Sequence, residues 1–562
     1  MKKTFFVPLT FVCLSMVASS CRENKPGPSN AAIAEINLKR GAVISCGSGG
    51  QEYGDLQFEV TGNAQLNEDF NLGVKLLHSF EYDEAEKVFA KIIDAHPESA
   101  MAYWGVAMSN FHPLWTAPSA AELNKGSKAL ALAQSLKEKT SKEEAYLDAI
   151  AAFYTDWNKS DHRSRCLRFE RAMEKLHVKY PDDKEAAIFY ALSLTAAADP
   201  TDQSFARQKR AGALLTSLYP GRPNHPGIVH YIIHTYDSPQ LAHLALPAAR
   251  KYASVAPSSA HALHMPSHIF TRLGLWDESI QSNLASVNNA QCYAKAAGMK
   301  GHWDEELHGL DYLVYAYLQK GDNNQAEKQL DYLASMDVVE PLNFKVAYAF
   351  AAIPSRYVLE NRLWKEAANL EADYAGIQWE NFPWQNAILH ATRMMGAIHT
   401  GSTDKAATEM KILNAIYNSL MSQQNRYQAR QVEVKIKTGL AWMLLKNGKN
   451  PEALRLMAEA ADMEDKAEKH PVTPGEVIPA REYLADMLLK LKEPAKALAM
   501  YESSLVKNQN RFNSLYGAAV AARQAGNKEK AVSFYRKLIS TGNAANSTRV
   551  ELTEANDFLS KL

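Results

Sequence analysis

The sequence predicts an all-α protein built as a solenoid of helical hairpins, and three observations lead to that prediction. Glycine and proline are scarce, at 27 and 23 residues in a chain of 562, which argues against a turn-rich β protein. Hydrophobic residues make up 46% and charged residues 22%, a composition typical of chains that fold. Small and aromatic side chains recur at equivalent positions every 34 residues, and such a period is typical of repeat arrays.

The charge balance argues against a nucleic-acid partner. Lys and Arg together number 62, and Asp and Glu also number 62, so the formal net charge at pH 7 is +0. An overall positive field, which gathers phosphate backbones, is therefore missing. We expect a protein, peptide or small-molecule partner and no nucleic acid.

The first 21 residues have the order of an export signal. Two lysines precede the apolar run FFVPLTFVCLSMVA, which is too short to cross a bilayer comfortably. The following ASSC ends at Cys21 and resembles the lipobox of bacterial lipoproteins, although Ala18 stands where such boxes usually carry Leu. We predict a signal peptide over 1–21, lipidation at Cys21 with anchoring to a membrane, and a tether and N-terminal segment over 22–65. The expected location is the outer membrane, as a lipoprotein, or the periplasm, and a plain secretory signal is the alternative.

Three cysteines remain in the mature part of the chain, namely Cys46, Cys166 and Cys292. Their wide spacing is not that of a disulfide framework. One pair could form, but the spacing does not say which.

The repeated spacing matches the tetratricopeptide signature, in which each repeat is a helical hairpin. Ala497 and Ala531 lie 34 residues apart, as do Tyr501 and Tyr535. Because a single hairpin cannot bury its apolar face, neighbouring hairpins are expected to stack into a right-handed superhelix. The residues of 66–99 that fit the signature are Leu72, Gly73, Ala85, Phe89 and Pro97.

These patterns give the predicted boundaries. The solenoid covers 66–464 and contains a histidine-rich groove at 225–315. Residues 465–480 include the polar, proline-bearing stretch DKAEKHPVTPGEV, which predicts a linker. Residues 481–562 are predicted to form further tetratricopeptide pairs.

Histidine is concentrated in one part of the chain, since nine of the 17 histidines fall between residues 225 and 308. Hairpins that begin at Pro226 and Ala260 place histidines at equivalent positions of neighbouring repeats. Helical periodicity brings these positions to one face, which lines the concave groove of such folds. The residues expected there are His230, His234, Asp237, His261, His264, His268, His308, Asp311 and Tyr315.

This set of residues suits a divalent transition metal such as Zn, Cu, Fe or Mn, because neutral imidazole and carboxylate are common ligands of these ions. Asp237 and Asp311 would be ligands or would orient the rings. Pro266 is expected to kink its helix between His264 and His268.

The same residues allow two other interpretations. A pH-sensitive imidazole lining could recognise a peptide or a small anion, and a network of hydrogen bonds could be purely structural. His225 and His243 fit a structural role best, the first at a helix start and the second on a packing helix.

Two further stretches contain candidate residues. An insertion within NNAQCYAKAAGMKGHWDEE offers Cys292, His302, Asp304 and Glu305 as a flap over the groove. The second stretch lies upstream and contains Trp104, Met108, Phe111 and His112. These residues form either an aromatic wall of the groove or part of the packed core.

The segments FHPLW, NHPGIVHYIIHTYD, HALHMPSHIF and HGLDYLVYA resemble a group of exported bacterial tetratricopeptide proteins. The similarity spans roughly 46–360. It implies that the histidine segment is shared by the group, but it transfers no reaction. Glycan-binding outer-membrane lipoproteins of the starch-utilisation type are also helical-repeat lipoproteins, but they carry long irregular insertions that are not evident here.

The motifs of common enzyme classes are missing from the sequence. It contains no GxSxG, HExxH or CxxCH motif and no glycine-rich phosphate loop, which argues against ordinary hydrolases and cytochromes. The sequence favours a binding protein without chemistry of its own, which holds a peptide, protein or small ligand in its groove. A transition-metal-binding protein or metalloenzyme is the second hypothesis, and a glycan-binding lipoprotein is the third.

Overall fold

The computed structural model describes Met1 and residues 27–47, 50–114, 117–199, 202–371, 376–467, 469–542 and 547–562. Cys21 and the predicted signal segment after Met1 lie outside these residues. The described part is mainly helical and its two strands have only two residues each, which confirms the all-α prediction.

Successive helices pair as antiparallel hairpins along the chain, and each hairpin packs on the next, which confirms the helical-hairpin solenoid. The first helices are α1 (Asn30–Ala34), α2 (Ala64–His78), α3 (Tyr82–Ala95), α4 (Ala100–Ser109), α5 (Ala120–Ser135), α6 (Ser141–Tyr154), α7 (His162–Lys179), α8 (Lys184–Ala196) and α9 (Ala206–Leu218). The histidine-rich part contains α10 (Pro226–Tyr236), α11 (Ala242–Val255), α12 (Ala260–His264), α13 (Pro266–Arg272), α14 (Trp276–Ala296), α15 (Asp304–Gln319) and α16 (Asn323–Ala334).

The remaining helices continue the pattern. They are α17 (Phe344–Glu360), α18 (Trp364–Ala368), α19 (Pro383–Thr400), α20 (Thr403–Ser422), α21 (Arg426–Lys446), α22 (Asn450–Asp465), α23 (Ala480–Lys490), α24 (Pro494–Lys507), α25 (Phe512–Gln524), α26 (Lys528–Thr541) and α27 (Val550–Leu559). Short 3₁₀ helices cover Trp157–Lys159, Tyr219–Gly221 and Trp379–Asn381. The strands β1 (His302–Trp303) and β2 (Val339–Glu340) pair in parallel, with His302 opposite Val339.

The small residues of the repeat signature allow close helix packing. A Cβ atom added at Gly73 would lie 2.6 Å from the Phe89 ring, and one added at Gly105 would lie 2.4 Å from it. Gly73, on α2, and Gly105, on α4, therefore let Phe89 of α3 fill the space between the three helices. Such contacts between small and large residues explain the spacing seen in the sequence.

The predicted register of the histidine-rich repeats is close to the structure. Helices α10 and α12 begin at Pro226 and Ala260, as expected. Helix α15 begins at Asp304, three residues before Leu307, where the repeat spacing predicts the third of these hairpins to begin. Pro266 interrupts the second of these helices, since α12 ends at His264 and α13 begins at Pro266. The break agrees with the loss of a backbone donor at proline.

The predicted linker at 465–480 lies between α22 and α23, but it is not a solvated tether. Lys469 Nζ lies 3.3 Å from a carboxylate oxygen of Asp237. The backbone oxygen of Thr473 accepts a hydrogen bond from the Tyr312 hydroxyl (3.0 Å), and that of Gly475 accepts one from Arg356 (2.8 Å). The segment therefore packs across the concave side of the histidine-rich repeats.

The C-terminal hairpins also pack back on the middle of the chain. The indole nitrogen of Trp276 donates to the Asn510 backbone oxygen (3.0 Å), and buried Arg511 pairs with Glu360 (2.7 Å). Gly274 has a φ of +64°, and a Cβ atom there would lie 2.4 Å from the Gln509 oxygen. This turn therefore requires glycine both for its backbone angle and for the close contact.

A disulfide joins Cys46 to Cys292, and Cys166 is buried with a free thiol. The bond fixes the extended N-terminal segment to α14. Farther along that segment, the backbone nitrogen of Asp55 donates to the Asn224 oxygen (3.0 Å). The N-terminal segment is thus attached beside the histidine-rich repeats.

Within the part of the chain that the structure describes, no helix combines the length and the apolar character needed to cross a membrane.

Candidate metal centre

The histidine-rich helices bring their imidazoles together in two groups. We call His230, His234 and His261 the first trio, and His264, His268 and His308 the second trio. In each trio, one ring nitrogen per residue lies within 4.8 Å of the others. The two trios are adjacent, since the ring centroids of His234 and His268 are 6.3 Å apart.

The first trio is arranged around His230 on α10. Its Nδ1 donates to the backbone oxygen of His78 (2.6 Å), so in the neutral ring Nε2 carries a lone pair. That Nε2 lies 2.9 Å from Nε2 of His234 and 3.1 Å from Nε2 of His261. The phenyl ring of Phe80 covers the group, with its centroid 4.4 Å from that of His230.

The second trio contains a more constrained pair. Nδ1 of His264 lies 2.7 Å from Oδ1 of Asn283, and the amide nitrogen of Asn283 donates to the Ser279 backbone oxygen (2.7 Å). This second bond fixes the amide so that its oxygen faces His264, and His264 Nδ1 must be a donor. Nδ1 of His268 likewise donates to Oδ2 of Asp237 (3.0 Å).

Both rings therefore direct a lone pair from Nε2, and these two nitrogens lie 3.1 Å apart. Two acceptors at that distance repel unless a proton or another cation lies between them. The third ring, His308, has its centroid 4.1 Å from that of His264. The second trio thus presents converging imidazole lone pairs, which is the donor set that transition metals bind.

Burial keeps the rings of both trios neutral. Desolvation, followed by neighbouring histidines, lowers the pKa well below the usual range for His230, His234, His264 and His308. Desolvation also lowers the pKa of His261 to about 3 and that of His268, although Asp237 opposes the latter shift. Protonation of a ring would remove the repulsion between the facing lone pairs, but burial makes protonation costly. Neutral imidazole is the form that binds metals.

A third group, the His78–Glu185–His225 cluster, has similar composition but different hydrogen bonding. His78 Nε2 donates to one oxygen of Glu185 (2.9 Å), and His225 Nε2 donates to the other (2.7 Å). The remaining ring nitrogens accept bonds from the Tyr231 hydroxyl (2.9 Å) and the Ile228 backbone (3.4 Å). Every ring nitrogen here has a complementary partner, so this cluster is a satisfied structural network.

The two predicted carboxylates have different positions. Asp237 contacts Nδ1 of His268 and also Arg272 (2.8 Å). It therefore orients a histidine ring, which is one of the two roles predicted for it. Asp311 instead pairs with buried Arg356 and is not part of either trio. Three residues along a helix rotate a side chain by about 60° from His308, which directs Asp311 towards Arg356 on α17.

The upstream aromatic residues lie mainly in the core. Trp104 packs against Phe58, Phe70, Tyr146 and Phe189 at centroid distances of 5.6–6.0 Å. Phe111 packs against Phe153 and Phe169, each at 4.7 Å, and Met108 is buried. We therefore correct the interpretation of these three residues as groove lining, because the helices on both sides enclose them.

The two remaining groove candidates occupy other places. His112 lies beside Glu122 (3.1 Å) in the wall of a cavity next to the first trio. Tyr315 is buried under the guanidinium of Arg356, 5.3 Å from its ring, and it lines the surface near residues 474–476.

The insertion does not form a flap of metal ligands. Its residues lengthen α14 to Ala296, and Cys292 is held in the disulfide. Asp304 pairs with Lys345 (2.6 Å), and Glu305 also pairs with Lys345. These two carboxylates belong to the wall of the cavity that includes His112.

Sequence reasoning missed the contributions of α2, the turn after it and α8. Phe80 covers the first trio, the backbone of His78 fixes the His230 tautomer, and Glu185 satisfies the third cluster. These residues are far from 225–308 in the chain, so spacing alone gave no signal. Asn283, on α14, lies only 19 residues after His264 in the chain and could have been sought as its hydrogen-bond partner.

No protein-family model matches this chain, and no curated protein matches it. Solved structures to which it is similar include a monomeric mutant of IFIT1 with Gppp-AAAA, at 11% identity over 82% of this chain and 94% of that chain, with a TM-score of 0.33. A human IFIT1 dimer with PPP-AAAA shows 11% identity over 84% and 89%, with a TM-score of 0.32. The TPR domain of P58(IPK) shows 15% identity over 67% and 99%, with a TM-score of 0.20. The repeat assignment rests on the hairpins of this chain.

Proposed function

We propose that this protein binds divalent transition-metal ions in its two histidine trios. The observation that carries the proposal is the pair of Nε2 atoms of His264 and His268, which face each other at 3.1 Å while both Nδ1 atoms are donors. An ion that accepts both lone pairs turns this repulsion into coordination. Two nitrogens at the usual 2.0–2.1 Å from one ion lie roughly 2.9–3.4 Å apart, and the ring nitrogens fit that range.

The ligand set favours particular ions. Imidazole suits Zn, Cu and Fe, whereas Mn prefers carboxylate and water. Each trio offers three protein ligands, which leaves a coordination position for water or another small ligand, as in catalytic zinc sites. This arrangement supports a metalloprotein whose ions are open to a small molecule.

An extended peptide in the concave groove has less support than a small ligand. Residues Lys469, Thr473 and Gly475 already make contacts on that side of the histidine-rich repeats. A peptide would have to displace this part of the chain. We therefore infer that ligands reach the site through cavities of limited size.

We also infer that the protein is exported and lipid-anchored at Cys21. The N-terminal sequence supports this inference, and so does the Cys46–Cys292 disulfide, because such bonds persist mainly in oxidising compartments. Mass spectrometry of the native chain tests it. An acylated N-terminal Cys21 supports the inference, and a chain that retains Met1 contradicts it.

Metal content measured by plasma mass spectrometry tests the central proposal. The chain is purified without a polyhistidine tag and incubated separately with Zn, Cu, Fe or Mn salts before excess ion is removed. We expect about two tightly held ions per chain for a preferred metal, since each trio supplies three imidazole ligands.

Paired variants assign the ions to the trios. His264→Gln with His268→Gln should lose about one ion, and His230→Gln with His234→Gln should lose the other. His390→Gln is the matched control, because His390 is a partly buried histidine on α19 that bonds to Glu409 (2.6 Å). Absence of stoichiometric metal, or full metal content in both paired variants, would refute the proposal.

A further inference from the structure

A cavity of about 460 Å³ lies beside the first trio, and His261 forms part of its wall. His261 is 7% exposed and directs Nε2 towards His230 (3.1 Å). A volume of this size is within the range of roughly 300–1,000 Å³ that small-molecule sites occupy. A molecule in this cavity would lie next to the proposed metal site.

The walls of the cavity are rich in carboxylates. Lys345 is the lysine among the lining residues, and two of the carboxylates, Asp304 and Glu305, already pair with it. The other lining carboxyl groups are Glu81, Asp83 and Glu84 at the start of α3 and Glu122 on α5. Asp83 pairs with Lys39, Glu84 with Lys87 (2.6 Å) and Glu122 with His112 (3.1 Å). Carboxyl groups therefore reach the space from α3, α5 and the start of α15.

Glu81 is a lining carboxyl group that has other carboxylates close to it. It accepts a hydrogen bond from the Ser259 hydroxyl (2.6 Å). Burial, followed by the nearby carboxylates Glu305, Glu84 and Asp83, raises the pKa of Glu81 to about 8. A positive group placed in the cavity would replace this repulsion with attraction.

Aromatic rings supply the rest of the wall. Tyr293 and Trp303 stack with centroids 4.2 Å apart, and Tyr82 meets the His112 ring edge-on at 4.7 Å. The Tyr293 hydroxyl donates to Glu84 (2.7 Å), which joins the aromatic and acidic parts of the wall. Aromatic faces combined with carboxylates favour organic cations over inorganic ones.

We propose that this cavity binds an organic ammonium ion with an aromatic or apolar body, held between the carboxylates and the aromatic rings beside His261. The inference deepens the proposed function by naming the class of small molecule that reaches the metal site, and its role there rests on that function. The binding itself depends only on the cavity.

Three probes of nearly equal size test the role of charge. Isothermal titration calorimetry compares phenethylamine, phenethyl alcohol and phenylacetate on the full chain at pH 7. We expect the amine to bind at least about ten-fold more tightly than the alcohol, and the acid not to bind, because only the amine gains ion pairing and cation–π contact. Equal binding of amine and alcohol, tighter binding of the acid, or no binding of any probe would overturn the proposal.

Two substitutions locate the binding. Glu81→Gln keeps a partner for Ser259 but cannot ionise when an ammonium ion binds beside it, and Trp303→Leu removes an aromatic face. Each substitution should weaken the binding of the amine by about five- to ten-fold. Glu278→Gln, at an exposed pair with Arg250, is the matched control and should bind as the wild type does. Unchanged amine affinity in both cavity variants would place the probe elsewhere and overturn the proposal.

Metal content separates this inference from the proposed function. Glu81→Gln and Trp303→Leu should keep the wild-type metal content, which also shows that they fold. The variant with His264→Gln and His268→Gln should still bind phenethylamine. In the wild type, bound metal without amine binding would refute only the cavity proposal, and amine binding without stoichiometric metal would refute only the metal proposal.

Discussion

A neutral imidazole has one donor and one acceptor nitrogen, so the partner of one nitrogen decides what the other can do. His264 and His225 illustrate the difference. Asn283 makes Nδ1 of His264 a donor and leaves Nε2 facing another lone pair. The Ile228 backbone makes Nδ1 of His225 an acceptor, and Nε2 donates to Glu185. Similar burial thus gives facing lone pairs that could hold a metal ion in one place and a satisfied hydrogen-bond network in the other.

Asn283 provides a prediction at this scale. Asn283→Ala removes the acceptor that fixes His264, so the ring can change its tautomer and Nε2 can carry the proton. We expect metal affinity at the second trio to fall about 10- to 100-fold, as for other residues that orient metal ligands. Competition with a chromophoric chelator measures the change.

Asn289→Ala is the control for that experiment. Asn289 also lies on α14, and its amide donates to the Cys46 backbone oxygen (2.7 Å) rather than to a histidine. Its substitution should leave the metal affinity within about two-fold of the wild type. If both substitutions weaken metal binding equally, the effect comes from α14 as a whole and the prediction is wrong.

How far the site could be predicted depends on where its contacts lie in the chain. The histidines at 230, 234, 264 and 268 follow from one repeat period, and the structure brings their rings together. The partner of Asp311 could not be found in this way, because Arg356 lies on a later helix and its approach depends on the stacking of α15 and α17. Trp104 has groove spacing in sequence, yet packing from both sides places it in the core.

At the scale of elements, helical spacing and one long helix position the site. Pro266 separates α12 from α13, but His264 and His268 direct Nε2 towards each other just as His230 and His234 do on the unbroken α10. The insertion lengthens α14, and the same helix supplies Asn283 to the site and Cys292 to the disulfide. The proline-induced break could be predicted from local sequence, whereas the path of α14 depends on the disulfide partner at Cys46.

The 465–480 segment was predicted as a linker because it is polar and contains prolines, and its buried path has a different physical cause. Its backbone oxygens bond to Tyr312 and Arg356, so side chains from other elements satisfy a chain without secondary structure. At the end of the segment, the Ala480 backbone nitrogen donates to Glu464 (2.6 Å). Composition alone does not reveal such partners.

Glu464 gives a prediction for this segment. Burial, followed by Glu476, raises the pKa of Glu464 to about 8, compared with about 4.3 in an unfolded chain. A raised carboxyl pKa contributes stability below the unfolded value, and this contribution is lost as pH rises from about 4.3 to 8. Glu464→Gln cannot ionise. As pH rises from 5.5 to 8.5, its free energy of unfolding should therefore fall by about 1–3 kcal/mol less than that of the wild type.

Thermal unfolding at the two pH values, in the presence of a chelator, measures this difference. The matched control is Glu459→Gln, also on α22, where the carboxylate pairs with exposed Arg455 (2.6 Å). The control should follow the wild-type pH dependence. An equal loss of stability in the wild type and in Glu464→Gln would show that this carboxyl does not titrate as described.

At the scale of the whole molecule, the solenoid is closed rather than open. Trp276, in the histidine-rich part, bonds to Asn510 near the C-terminus, and Arg511 bonds to Glu360. The 34-residue period predicts each hairpin and its neighbour but contains no information about contacts between distant hairpins. The period therefore predicts the repeat fold and a concave groove, whereas the contacts that close the groove could not be predicted from it.

The Cys46–Cys292 disulfide is the covalent part of this closure and gives the final prediction. It joins residues separated by 246 positions, so reduction frees a long loop in the unfolded chain and releases the N-terminal segment from α14. Cys46→Ser with Cys292→Ser should lower the free energy of unfolding by about 2–4 kcal/mol. The same apparent Tm should result when the wild type is reduced, whereas reductant should not change the Tm of the variant.

Cys166→Ser is the control, because this buried cysteine is unpaired. The Tm of this variant should respond to reductant as that of the wild type does. A wild-type Tm that is insensitive to reductant would mean that the bond does not hold the N-terminal segment against the repeats.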